Sequence, residues 1–203
     1  MTPARTVATA RRTRAATVIT EITSPTVLAP AVLIAVAVHT EIRQQRGAIW
    51  WGLLAAVFVG AIPLAFLKLG VRKGRWADHH VRSRELRLVP LIVAACSVAC
   101  GLALLLGGHA PNDITALVVA MLAGLISVLV VSRWWKVSIH AAVAGGTAII
   151  LAAVFGLPGL VIGIVGVVCA AWSRVASGDH SASQALTGVV IGAVAALLYL
   201  PLR

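Results

Sequence analysis

The run Ser173-Arg174-Val175-Ala176-Ser177-Gly178-Asp179-His180-Ser181-Ala182-Ser183-Gln184 sets an arginine, an aspartate and a histidine between two strongly apolar segments. Such groups persist in apolar surroundings only where water, a partner or a substrate solvates them. Arginine offers a planar fork of donors to an anion, and an imidazole exchanges protons near neutral pH. The run therefore reads as one wall of an anionic-substrate site. Val137-Ser138-Ile139-His140 is a second polar edge, a serine and a histidine just after Arg133 and Lys136. The longest polar stretch, Lys68 to Arg87, adds Arg75, Asp78, His79, His80, Arg82 and Glu85.

The elements that must position these groups are apolar. Of 203 residues, 60% are hydrophobic and 11% charged, with a mean hydropathy of +1.00. A soluble domain is nearer half apolar and a quarter charged. The apolar residues fall in blocks of roughly 15–22, about the length that spans a hydrocarbon core of ~30 Å. Alternation of the kind that builds membrane β-barrels is absent. The expected fold is an all-α polytopic membrane helical bundle of about six or seven transmembrane helices over residues 23–203, preceded by a basic tail over 1–22.

Spans are expected at about Ser24–His39, Ile49–Leu69, Leu88–Gly107, Ile114–Val131, Ala141–Leu157, Leu160–Trp172 and Ala185–Leu202, with Pro158-Gly159 as a turn. Gly188 and Gly192, and likewise Gly159, Gly163 and Gly166, are spaced for close helix packing. Cys96, Cys100 and Cys169 lie inside apolar segments and read as small hydrophobes.

Counting crossings brings the polar segments together. Two spans separate the 68–87 loop from the 132–140 segment, and two more separate that segment from 173–184, so all three face one side. Of the 17 basic residues, only Arg43, Arg46 and Arg203 fall on the other side. The positive-inside rule makes the rich side cytoplasmic. The expectation is an integral protein of a bacterial plasma membrane, with the N-terminus and the site on the cytoplasmic face. The formal charge of +11 is spread over loops that form no continuous soluble surface. It points to anionic lipid and phosphate-bearing substrates, and not to nucleic acid.

The 173–184 run resembles the third signature of the phosphatidic acid phosphatase type 2 (lipid phosphate phosphatase) superfamily, S-R-x5-H-x3-D. Ser173, Arg174 and His180 match, and Gln184 stands where the family has aspartate. Val137-Ser138-Ile139-His140 is similar to the second signature, P-S-G-H, through Ser138 and His140. Arg75, with Arg82-Ser83 seven residues on, resembles the first, K-x6-R-P. The resemblance covers roughly residues 68–190. It implies a metal-free phosphatase of a lipid phosphate or polyprenyl (di)phosphate. His180 would be the nucleophile and His140 the general acid, with Arg75, Arg82, Ser138, Ser173 and Arg174 binding the phosphoryl group. Four residues past His180 on a helix, residue 184 would reach the imidazole, where Gln184 orients it less strongly than a carboxylate.

Two other readings rest on the same residues. Asp78, His79 and Glu85 could hold Mg²⁺ against a diphosphate, as an isoprenoid-diphosphate lyase or cyclase requires. A non-catalytic binder of anionic lipid would use the same basic segments without turnover.

Overall fold

In a computed structural model, described here for residues 14–43, 45–73 and 84–203 with the side chains of 84–87 set aside, the chain is helical and forms no strand among the described residues. The elements are α1 (14–22), α2 (Pro25–Ile42), α3 (Ala48–Arg72), α4 (Arg84–Gly107), α5 (Asn112–Val131), α6 (Ile139–Ala176), α7 (Ala182–Ala196) and α8 (Tyr199–Leu202). Among the described residues six helices are long and apolar enough to cross a membrane, the last running from Ala182 to Leu202. The chain is an integral membrane protein with an all-α bundle. Bulky side chains face outward along it, among them Val161, Ile164, Val168 and Leu186. Trp50 is exposed near one end, and Trp134 and Trp135 near the other, as interfacial aromatics require.

Helix α6 carries two spans. Its 38 residues would reach ~57 Å if straight, nearly twice a hydrocarbon core of ~30 Å. It folds back at Gly156, whose φ of 64° and ψ of −142° no helix allows and glycine adopts without a Cβ penalty. Past the turn, Gly159 lies against Leu151 and Gly163 against Ala148, so the arms run antiparallel. The break comes at Gly156, two residues before the expected Pro158-Gly159 turn, because Pro158 fits the first turn of the returning helix.

The second arm of α6 then hands the chain to α7, which lies parallel to the first arm. The carbonyl oxygens of Ser138 and Ala142 approach Gly188 and Gly192 so closely that no Cβ fits, and Gly145 meets the Val189 carbonyl in the same way. The paired steps of four residues fix the register. Gly166, by contrast, has nothing within 4 Å of where its Cβ would be, so it takes no part in the packing expected of it.

In α3, Val57–Ala61 forms a π-helical stretch ahead of Pro63, which supplies no N–H to the ladder. Ser97 of α4 donates to the Phe58 carbonyl at 2.6 Å. Cys96 and Cys100 are exposed on α4 instead of packing inside, and Cys169 is half-buried. The part of the basic tail that the structure describes, α1, is helical, with Ala16 and Thr20 buried.

The end away from the 132–140 and 173–184 segments is tied by a polar knot. Asp113, in the first turn of α5, accepts from Thr40 of α2 at 3.1 Å and from the Tyr199 hydroxyl of α8 at 3.3 Å. Arg203 donates to the Ala153 carbonyl near the α6 turn at 2.8 Å and lies over the Tyr199 ring. Thr40 and Tyr199 are buried, so Asp113→Ala leaves two donors without their acceptor. It is expected to cost about 1–3 kcal/mol for each, read as a lower thermal midpoint of the detergent-solubilised protein. Asp113→Asn, which keeps an acceptor, loses less.

Candidate active site

The site is built where the start of α6 meets the turn before α7. Ser138 is the N-cap of α6: its hydroxyl accepts the Ala141 N–H at 3.4 Å, which places His140 in the first turn. The Ser138 N–H donates to the Gln184 carbonyl at 3.3 Å, so the two polar segments touch through their backbones. Gly178, with φ of 72°, lets residues 177–181 turn tightly. The turn brings the His180 N–H onto the Arg174 carbonyl at 3.2 Å.

Arg174 and His180 are buried, 5% and 8% exposed. A guanidinium so enclosed needs a counter-charge. Asp179 supplies it, with Nη2 to Oδ2 at 3.1 Å. Lys136 donates from Nζ to the Asp179 backbone carbonyl, bringing a second cation to the same residue from the preceding segment. The cluster of Arg174, Lys136 and Asp179 therefore stays net positive beside two imidazoles.

These groups border one cavity of about 910 Å³. At one end its lining includes Lys136, His140, Arg174, Asp179 and His180, faced by Glu21 of α1 and by Lys68 and Arg72 of α3. Farther in, the walls are apolar: Val98, Leu117, Met121, Leu125 and Ile150. Four basic side chains against two carboxylates give the described mouth an excess of positive charge, while the interior suits a hydrocarbon. In charge and polarity such a lining is complementary to an amphiphile with an anionic head.

The expected residues divide into three groups. His140, Arg174 and His180 meet at the cavity. Ser138 and Ser173 do not line it: both are fully buried, the first capping α6 and the second donating to Ala170 O at 2.9 Å. In this structure their hydroxyls are engaged by the helix backbone. Arg75, Arg82, Asp78 and His79 lie outside the described residues, as does the side chain of Glu85. Among the described residues no group of three His, Cys, Asp or Glu side chains is set to hold a metal ion.

Gln184 also departs from expectation. Helix α7 begins after Ser181, its N-cap, so His180 sits in the preceding turn and no i,i+4 relation links it to residue 184. The Gln184 side chain closes a capping box instead: its Oε1 accepts from Ser181 N–H at 3.1 Å, and Ser181 Oγ accepts from Gln184 N–H at 3.2 Å. Gln184→Ala removes only the Oε1 half of the box, since Ser181 Oγ still accepts the backbone N–H of residue 184, and is expected to cost about 0.5 kcal/mol. Gln184→Glu, which keeps an acceptor and adds negative charge at a helix N-terminus, should hold or raise the thermal midpoint.

Lys68 and Arg72 were not singled out by the sequence as site residues. Their signal was there: basic residues four apart at the end of a span share one helix face, and this face lines the cavity. Asp179 precedes His180 directly, so its side chain diverges from the imidazole and is free to pair with Arg174.

No protein-family model, curated protein or solved structure matches this chain. The functional reading rests on the residues and their placement.

Proposed function

We propose that the chain is a membrane-embedded phosphatase of a lipid phosphate or polyprenyl (di)phosphate, in the manner of the lipid phosphate phosphatases that its 137–184 segments resemble. The observation that carries the reading is that His140, Arg174 and His180, drawn from two separate polar segments, border one cavity with a basic mouth and an apolar interior. His180 attacks phosphorus, the bond to the leaving oxygen breaks, and His140 protonates that oxygen as it departs. Water then attacks the phosphohistidine, His140 takes its proton, and inorganic phosphate leaves with His180 restored. Arg174 and Lys136 meet the negative charge on the phosphoryl oxygens. Arg75 and Arg82 would join them, as the resemblance implies.

The test is phosphate release by the purified protein in proteoliposomes, with phosphatidate, farnesyl phosphate and farnesyl diphosphate as substrates and a chelator present. Release that survives chelation and disappears in His180→Ala, together with an acid-labile phosphoenzyme in the parent protein, supports the reading. Release indifferent to His180→Ala overturns it. Release of diphosphate that stops on chelation supports the metal-dependent reading of Asp78, His79 and Glu85 in its place.

A further inference from the structure

The cavity continues far beyond what a phosphoryl group needs. Its lining runs along α5 from Val128 to Leu117 and along the first arm of α6 from Ile139 to Ile150. At 1.5 Å of rise per residue each path descends ~16 Å, about half of a ~30 Å hydrocarbon core. Several of the residues that enclose it, including Val32, Leu117, Ala120 and Ile150, belong to the main buried core of the bundle. Protein cores are otherwise close-packed, and an apolar void forfeits contacts that an occupant restores. Water is a poor occupant of the inner space, where the Thr147 hydroxyl stands among apolar walls.

We infer that this space seats the substrate's apolar tail inside the protein, one chain at a time, and that Ala120 and Met121 on α5 gauge its length. The inference rests on the phosphatase reading for the headgroup and adds the chemical class of the rest of the substrate: a single prenyl or alkyl chain ending in phosphate. A two-chain glycerolipid would need a second apolar path from the same mouth. The tail path descends between α5 and the first arm of α6, with α2, α3 and α4 walling the rest of the cavity. Ala120 is 4% exposed and lies partway between Val128 and Leu117. A larger side chain there projects into the path of the tail. Met121 is only partly buried against the core, and its shortening widens the lower part of the space.

The experiment measures binding of radiolabelled geranyl, farnesyl and geranylgeranyl phosphate, with dodecyl phosphate and phosphatidate as competitors, to the full chain in lipid nanodiscs. In Ala120→Leu the loss of affinity relative to the parent protein should grow with prenyl length, reaching about tenfold for geranylgeranyl phosphate. Met121→Ala should shift the preference toward the longer chain. Dodecyl phosphate should compete and phosphatidate should not. A loss of equal size at all three lengths in Ala120→Leu, with no shift in Met121→Ala, overturns the inference; so does competition by phosphatidate equal to that of the single-chain phosphates. The two readings fail separately. Length-dependent binding without any phosphate release removes the phosphatase and leaves the tail seat. Phosphate release with length-independent binding does the reverse.

Discussion

Arg174→Ala is expected to lower phosphate release by about 10²–10³-fold, the usual cost of removing one preorganised donor from developing charge. Arg174→Lys should recover little of it. The Arg174 side chain is 6% exposed and paired to Asp179, and its fork can keep that pair while turning other N–H groups to a phosphoryl oxygen. A lysine, as a point charge, must choose between the carboxylate and the substrate. Removing the arginine also strips Asp179 of its counter-ion. That carboxylate is 26% exposed and close to water, so the stability loss falls below the 3–5 kcal/mol of a fully buried broken pair. The checks are kcat and KM beside a thermal melt: a fall in kcat that far outruns the melt assigns Arg174 to the chemistry, whereas a proportionate fall in both makes it a structural ion pair.

Gly192→Leu is expected to remove about 3 kcal/mol or more of stability, beyond the usual cost of overpacking because the obstacle is backbone. A Cβ at residue 192 runs into the Ala142 carbonyl, which belongs to the first arm of α6 and cannot rotate aside. The parallel pair must separate, and with it the contact between Ser138 N–H and Gln184 O that brings the two site segments together. Gly166→Ala is the internal control. With open space around residue 166, it should be neutral or stabilising by about 0.5–1 kcal/mol through helix propensity alone. Midpoints of thermal unfolding, read by size-exclusion recovery after heating, separate the two.

The bundle was legible in the chain because hydrocarbon-length apolar blocks have few alternatives in a membrane. The expected span limits fall within a few residues of the helices. The hairpin in α6 could be read because Pro158-Gly159 interrupts an apolar run too long for one crossing, although the turn itself uses Gly156. Crossing parity brought His140 and His180 to one end, where both border the cavity. What escaped was local hydrogen bonding. The fates of Ser138, Ser173 and Gln184 depend on where a helix starts to within one residue. At Ser181 the choice goes to the side chain that can cap, which moves His180 off the helix and commits Gln184 to the box. The cavity was equally hidden, since a void arises from what several helices leave between them and no single segment encodes it.

The fold-back at Gly156 also bears on how the protein is made. Both site segments lie within one stretch of chain, 132–188, whose contacts are bridged by a tight helical hairpin and not by a long excursion through the bundle. Contacts separated by little chain close quickly and at low entropic cost. The hairpin and α7 can therefore assemble as a late, self-contained unit against the helices already inserted. A residue with a Cβ at position 156 should slow that assembly and lower the yield of inserted protein, while molecules that do complete it keep the catalytic constants of the parent.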